Sequence, residues 1–281
     1  MRALQMQAIK KAGQIRSKLK LNMFEPINIF DACDTLGVTV RFVPVSMEGM
    51  YVVGEGATNP NILLSSLRPF GRRVYTCGHE LGHHVFGHGT KIDSLIEEGK
   101  PKPAYDNDEY LVDTFAGALL MPVAGIEAAF EKRKWNLRDA SPIQYFTISS
   151  IFGTGYTTLV THCRVNGLIN ELKSAALLKH SPAKILQHLI GPTDDKPYFK
   201  IIDENAEVSV VDIETGSYIF LPEHTMIEGD HLHKLKKVEV GETFVAEKPG
   251  IIRAVAGSKG YFIRIQNAGY NGLAEYRHLE D

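Results

Sequence analysis

The sequence predicts an α+β protein in three consecutive stretches: helices with a small sheet over residues 1–130, a helical, helix-turn-helix-like segment over 131–190, and a β-rich domain over 197–281. Three observations carry this. Apolar residues recur at helical intervals of three and four through much of the first 189 positions. Short β-branched runs interrupt that spacing after Gly37. From Tyr198 onward the pattern turns strand-like, in runs separated by Gly, Pro, Asp and Asn. A chain of 281 residues is long enough for more than one core.

Taken in order, Leu4, Ala8, Ala12 and Ile15 define an amphipathic helix over residues 2–20, its basic face expected to be solvated. A second helix follows Pro26 over INIFDACDTLG and stops at Gly37, a residue that accepts the left-handed conformation beyond a helix. VTVRFVPV, MYVVGEG and NILLSS read as strands. Val74, Cys77, Leu81 and Val85 restore the helical period over Arg72 to Gly89. The polar run from 90 to 107 reads as a loop with a short turn of helix, and Asn107 or Asp108 caps the next helix, which Pro122 closes. Ser141 then caps, Pro142 takes the first helical position, Gly153 and Gly155 make a turn, and Gly167 ends the following helix. GPTDDKP reads as a linker, and VSVVDI, SYIFL, TFVA, IIRAVA and YFIRIQ read as strands.

Composition removes several classes. With 31 basic against 33 acidic residues there is no global field favouring nucleic acid or an anionic membrane. The N-terminus lacks an apolar core of signal-peptide length and no stretch looks like a membrane span, so a cytoplasmic location without membrane contact is expected. The three cysteines have no paired spacing and are expected to be reduced and buried.

The stretch CGHELGHHVFGH concentrates the chemistry. On a helix His79 and His83 lie one turn apart on one face and can place two imidazole nitrogens on one metal ion, while Glu80 is suited to act as general base on a water. His84 and His88 form a second pair of the same spacing, rotated about 100° away, and are read as structural or supporting groups. A catalytic zinc takes three protein ligands and keeps one position open. A longer H-E-x-x-H-x-x-G-x-x-H pattern fails, because Phe86 and Gly89 stand where glycine and histidine are required. The other source is Glu109 on the next helix, with Asp113 one turn on to hold a ligating histidine by its second nitrogen. A helix-start acid stabilised by the helix dipole remains the plain alternative for Glu109.

HELGHHVFGH followed by EYLVDTFAGALLMP (Glu109 to Pro122) resembles the ImmA/IrrE family of metallopeptidases, whose second signature is E-x-x-A-[ND]-x-F-A-x-x-L-L-M-P. The resemblance covers about the first half of the chain and departs at Val112, where alanine is usual. It implies a zincin-like fold, with His79, His83 and Glu109 as ligands of zinc, or of manganese in its place, and Glu80 as the catalytic base. Tyr75, Tyr51 or His84 would donate to the oxyanion. The implied substrate is a helix-turn-helix transcriptional repressor whose cleavage releases a stress-response or mobile-element regulon. IrrE-like members also carry a helix-turn-helix segment, here Asp139 to Ile169, and a GAF-like domain after it. The second helix of that segment has one certain cation, Arg164, so a structural or partner-docking role is expected in preference to DNA binding. His224, His231 and His233 read as surface histidines. The rival class is a DNA-binding or effector-sensing regulator with a structural metal site.

Overall fold

The computed structural model describes residues 1–53, 59–92, 107–192 and 197–279, which fall into two compact units: Met1–Pro122 with Gly269–Arg277, and Val123–Ala268 with the last residues from His278. The first unit begins with α1 (Arg2–Lys18), α2 (Ile29–Thr35), β1 (Thr39–Val43), β2 (Gly49–Val52) and β3 (Asn61–Ser65), followed by α3 (Phe70–Phe86), β4 (Lys91–Ile92) and α4 (Asn107–Leu120). Asn28 caps α2 by accepting from the main-chain N–H of Asp31, and Gly37 adopts the left-handed conformation after it, at φ 78°. β1 and β3 run parallel, β2 is antiparallel to β3, and β4 is antiparallel to β2. β4 falls where the sequence reads as loop; the rest of that expected loop, with its short helical turn, lies outside the described residues.

Both α1 and α3 pack on α4, and α3 also covers β2 and β3. Ala8 and Ala12 are fully buried in α1, small side chains that bring two helix axes close. The basic face of α1 is not wholly solvated, as its spacing suggested. Arg16 is buried at 1% exposure, and its guanidinium donates to the carbonyls of Leu119 (2.6 Å), Asn22 (2.6 and 3.0 Å) and Glu25. It thereby closes an open carbonyl at the C-terminal end of α4, and burial pulls its pKa down to about 10, still charged at neutral pH.

The second unit carries α5 (Val123–Lys132), α6 (Pro142–Ile151), α7 (Tyr156–Val165), α8 (Glu171–Leu178) and α9 (Pro182–Ile190). Ser141 and Gln144 form a reciprocal capping box at the start of α6, with Gly153 at φ 69° in the turn to α7 and Gly167 at φ 74° beyond it. Strands β5 (Phe199–Ile201), β6 (Val210–Glu214), β7 (Tyr218–Leu221), β8 (Met226–Ile227), β9 (Leu232–Val238), β10 (Gly241–Ala246), β11 (Gly250–Ala256) and β12 (Lys259–Gln266) make two four-stranded sheets, ordered β5-β7-β10-β9 and β6-β12-β11-β8. From 199 to 266 the described residues contain strands and no α-helix. Asp212 on β6 holds Arg264 on β12 through two contacts, at 2.6 and 3.0 Å, and burial lowers the nearby Lys200 to about 8.

The chain then returns to the first unit. β13 (Gly272–Leu273) pairs antiparallel with β1, giving the order β13-β1-β3-β2-β4, and a 3-10 turn (Ala274–Tyr276) leads to Arg277. The Arg277 guanidinium is buried, lies 5.1 Å over the ring of Phe30 and pairs with Asp31 at 3.3 Å. The sequence reads this segment with the β-rich stretch, since a two-residue strand has no pattern of its own. Asn107–Lys132, which is α4 and α5 read together, is long and apolar enough to cross a membrane by length and composition, where the sequence reading expected no such stretch. It breaks at Pro122, and most of its apolar window is buried, as in a core helix. Replacing Arg16 with alanine leaves three main-chain carbonyls without their charged donor and is expected to lower stability by about 2–4 kcal/mol, against less than about 0.5 kcal/mol for exposed Lys10→Ala. Urea denaturation of the two variants reads the difference.

Candidate metal centre

α3 starts after Pro69 and ends at Phe86, because Gly87 turns into the left-handed conformation at φ 70° and the N–H of His88 closes back on the carbonyl of His83 at 3.1 Å. The spacing of apolar residues suggested a helix running to Gly89. The earlier stop takes His88 off the helix, so His84 and His88 are not stacked one turn apart. Each goes to a different partner.

His79 and His83 turn their Nε2 atoms toward each other at 3.2 Å, with His83 fully buried and His79 at 7% exposure. Glu109, in the first turn of α4, brings Oε2 to 3.3 Å from His79 Nε2 and Oε1 to 3.6 Å from His83 Nε2. All three residues offer ligand atoms within 4.8 Å of one another. A tetrahedral zinc ion with bonds of 2.0–2.1 Å separates its ligand atoms by about 3.3 Å, so these spacings suit one ion shared by the three groups. The donor set of two imidazoles and one carboxylate is that of a zinc site with a position left for water.

The remaining ring nitrogens support the same arrangement. His79 Nδ1 lies 2.9 Å from Oδ1 of Asp113, one turn beyond Glu109 on α4. A carboxylate accepts there, so the proton sits on Nδ1 and the Nε2 lone pair points into the site. His83 Nδ1 lies 3.0 Å from Nδ1 of His88, whose Nε2 faces Oδ1 of Asp108 at 3.7 Å. With the shared proton on His83 Nδ1, His88 carries its own proton on Nε2, toward the Asp108 carboxylate, and His83 Nε2 is again a lone pair. The sequence reads His88 as a structural or supporting group and Asp108 as a possible helix cap, without naming these partners. The one signal for them is Gly87, which stops the helix and allows His88 to fold back.

Glu80 is buried and faces β2, where Oε1 would lie 3.0 Å from a Cβ added to Gly49. Tyr51 on β2 bonds through its hydroxyl to Nδ1 of His84 at 2.8 Å; burial raises the tyrosine pKa and lowers that of His84, with Lys18 adding to the latter. The Tyr75 hydroxyl donates to the carbonyl of Asp113 at 3.2 Å. Val112, the departure from the signature, is fully buried against Gly82. Behind the site Cys33 and Cys77 lie with Sγ atoms 3.7 Å apart, buried and unbridged, and burial drives the Cys77 thiol well above its ordinary pKa. Cys163, also buried and reduced, is raised to about 12.

Titration of zinc against a chelating dye is expected to show about 10- to 100-fold weaker binding for Asp113→Ala and for His88→Ala, and a larger loss for Glu109→Ala, which removes a ligand atom. Wild-type affinity in Glu109→Ala would exclude the three-residue site.

No curated protein matches the chain. The family model described as the IrrE N-terminal-like domain, a peptidase family, matches residues 33–161, a span that contains both histidines, Glu80, Glu109 and Asp113. Over these residues the chain is similar to the N-terminal domain of IrrE-like peptidases.

Proposed function

We propose that this protein is a zinc-dependent endopeptidase that cuts one protein substrate, a helix-turn-helix transcriptional repressor, and so releases the genes it silences, of stress-response or mobile-element type. The observation that carries this reading is the convergence of His79, His83 and Glu109 to within 4.8 Å beside the buried Glu80, inside a domain of peptidase type. Zinc is the metal best suited to two imidazoles and a carboxylate, and manganese can take its place. A bound zinc ion supplies a Lewis acid for the scissile carbonyl and makes water a usable nucleophile near neutral pH.

The chain's own groups do the rest. The Glu80 carboxylate accepts the proton of the attacking water and returns it to the leaving amine. Among the candidate oxyanion donors, Tyr75 is engaged with a main-chain carbonyl of α4. We assign the donor to the Tyr51–His84 pair: when the tyrosine hydroxyl donates to Nδ1, the imidazole keeps its proton on Nε2 and can offer it. An extended substrate segment would lie along the small sheet as an added strand. A repressor-cleaving enzyme works in the cytosol, and we assign it there.

A second reading, a DNA-binding regulator, draws on the pair α6 and α7, which are joined by a four-residue turn. Arg164, the one certain cation of α7, is paired with Glu171 at 3.1 Å, which takes from that surface the charge that phosphate contact requires. A structural or partner-docking role for α6 and α7 is therefore favoured. Co-expression with the repressor encoded nearest the gene, followed by mass spectrometry, is expected to show one cut in the repressor. Glu80→Gln is expected to keep its zinc and lose about 10²- to 10⁴-fold in cleavage rate. Undiminished cleavage by that variant would remove the enzyme reading, and a salt-sensitive, sequence-selective DNA mobility shift would favour the regulator.

A further inference from the structure

We infer that Gly49 is a positioning residue for Glu80: its missing side chain is the space in which the proposed base stands. The inference rests on the endopeptidase reading above and deepens it. β2 lies along one face of α3 in a fixed register. Residues 76, 80 and 84 are spaced by four on the helix and share that face, while Gly49 and Tyr51 are spaced by two on the strand and are both buried. Four helical residues advance about 6 Å and two strand residues about 6.6 Å, so the two rows stay in step. Tyr51 meets His84 through the 2.8 Å hydrogen bond, which leaves Gly49 opposite Thr76 and Glu80.

A Cβ at position 49 would lie 2.6 Å from Thr76 Cγ2, 3.0 Å from Glu80 Oε1 and 3.2 Å from Glu80 Cγ. The backbone does not demand glycine here. Gly49 is outside the left-handed region and sits in a strand, where alanine costs less conformational entropy than glycine. What excludes a side chain is the face of α3. Thr76 is buried and its methyl is not the far end of a flexible side chain, and the Cγ of Glu80 is two bonds from the helix backbone. The Glu80 carboxylate is the group left to move. A methyl at 49 pushes it out of place, and a displacement of about 1 Å in a reacting group costs on the order of 10²-fold in rate.

Gly49→Ala is therefore expected to bind zinc as the wild type does, because His79, His83 and Glu109 are not among the groups that a Cβ at 49 meets. Its kcat on the co-expressed repressor falls by about 10²-fold with KM nearly unchanged. Thr76→Ser removes Cγ2, the nearest obstacle, and in that background the loss from Gly49→Ala shrinks by about tenfold, which also serves if the single variant folds poorly. A readout that needs no substrate is the side-chain carbonyl ¹³C resonance of Glu80, assigned by its loss in Glu80→Gln. It moves in Gly49→Ala and returns toward the wild-type position with Thr76→Ser. Wild-type kcat in Gly49→Ala, or an unmoved resonance, would overturn the inference. A wild-type protein that cleaves nothing would instead overturn the endopeptidase reading, with the resonance still deciding whether Gly49 sets the position of Glu80.

Discussion

The close approach of α3 and α4 is the constraint on which the metal centre depends. Gly78 and Gly82, one turn apart on α3, have no side chains where α4 crosses. A Cβ on Gly82 would lie 2.8 Å from Cβ of Val112, and one on Gly78 would lie 3.1 Å from a methyl of Leu120. Packed interiors have little slack to absorb the overlap at Gly82, and a side chain at Gly78 would require Leu120 to give way, so glycine at both positions favours this close approach. Each glycine directly precedes a histidine. The same contact that sets the helix separation therefore sets how far the rings of His79 and His83 stand from Glu109 and Asp113.

The three faces of α3 divide the work. His79 and His83 meet α4 through the carboxylates of Glu109 and Asp113, Gly78 and Gly82 take the packing contact, and Thr76, Glu80 and His84 face β2. Each histidine is oriented through its second nitrogen by a different part of the chain: His79 by Asp113 within α4, His83 by His88 just past the end of α3. Rings held through the nitrogen that faces away from the site lose much of their rotational freedom before metal arrives, so little ordering cost is left for binding. At the other end of α4 from Glu109, Arg16 donates to the carbonyl of Leu119.

The connectivity has its own consequence. The second unit is inserted between Pro122 and Gly269 of the first, which is completed only when β13 adds to the edge of β1 and Arg277 settles over Phe30. An otherwise open sheet edge is thereby covered by the chain itself. The match to the peptidase family ends at residue 161, so the returning segment is a part of the first unit outside the matched domain.

By itself the sequence determined the helices that carry the site, the small sheet before them, the strand-rich C-terminal region and the identity of the converging residues. These follow from period and from two spaced motifs, both local properties of the chain. It was less informative where geometry depends on distant partners. The apolar spacing ran α3 on to Gly89, whereas Gly87 stopped it and sent His88 back to His83, since a glycine inside an amphipathic pattern does not announce which conformation it will take. Arg16 looked like one more solvated cation until the carbonyls of Asn22, Glu25 and Leu119 surrounded it. The two-residue strands β4 and β13 were invisible, being held by their partners and not by any preference of their own. That Glu109 stands beside His79 and His83, and that position 49 lies against Thr76 and Glu80, came from tertiary packing alone: both depend on which element lies against α3, and contact across the fold leaves no periodic trace in the chain.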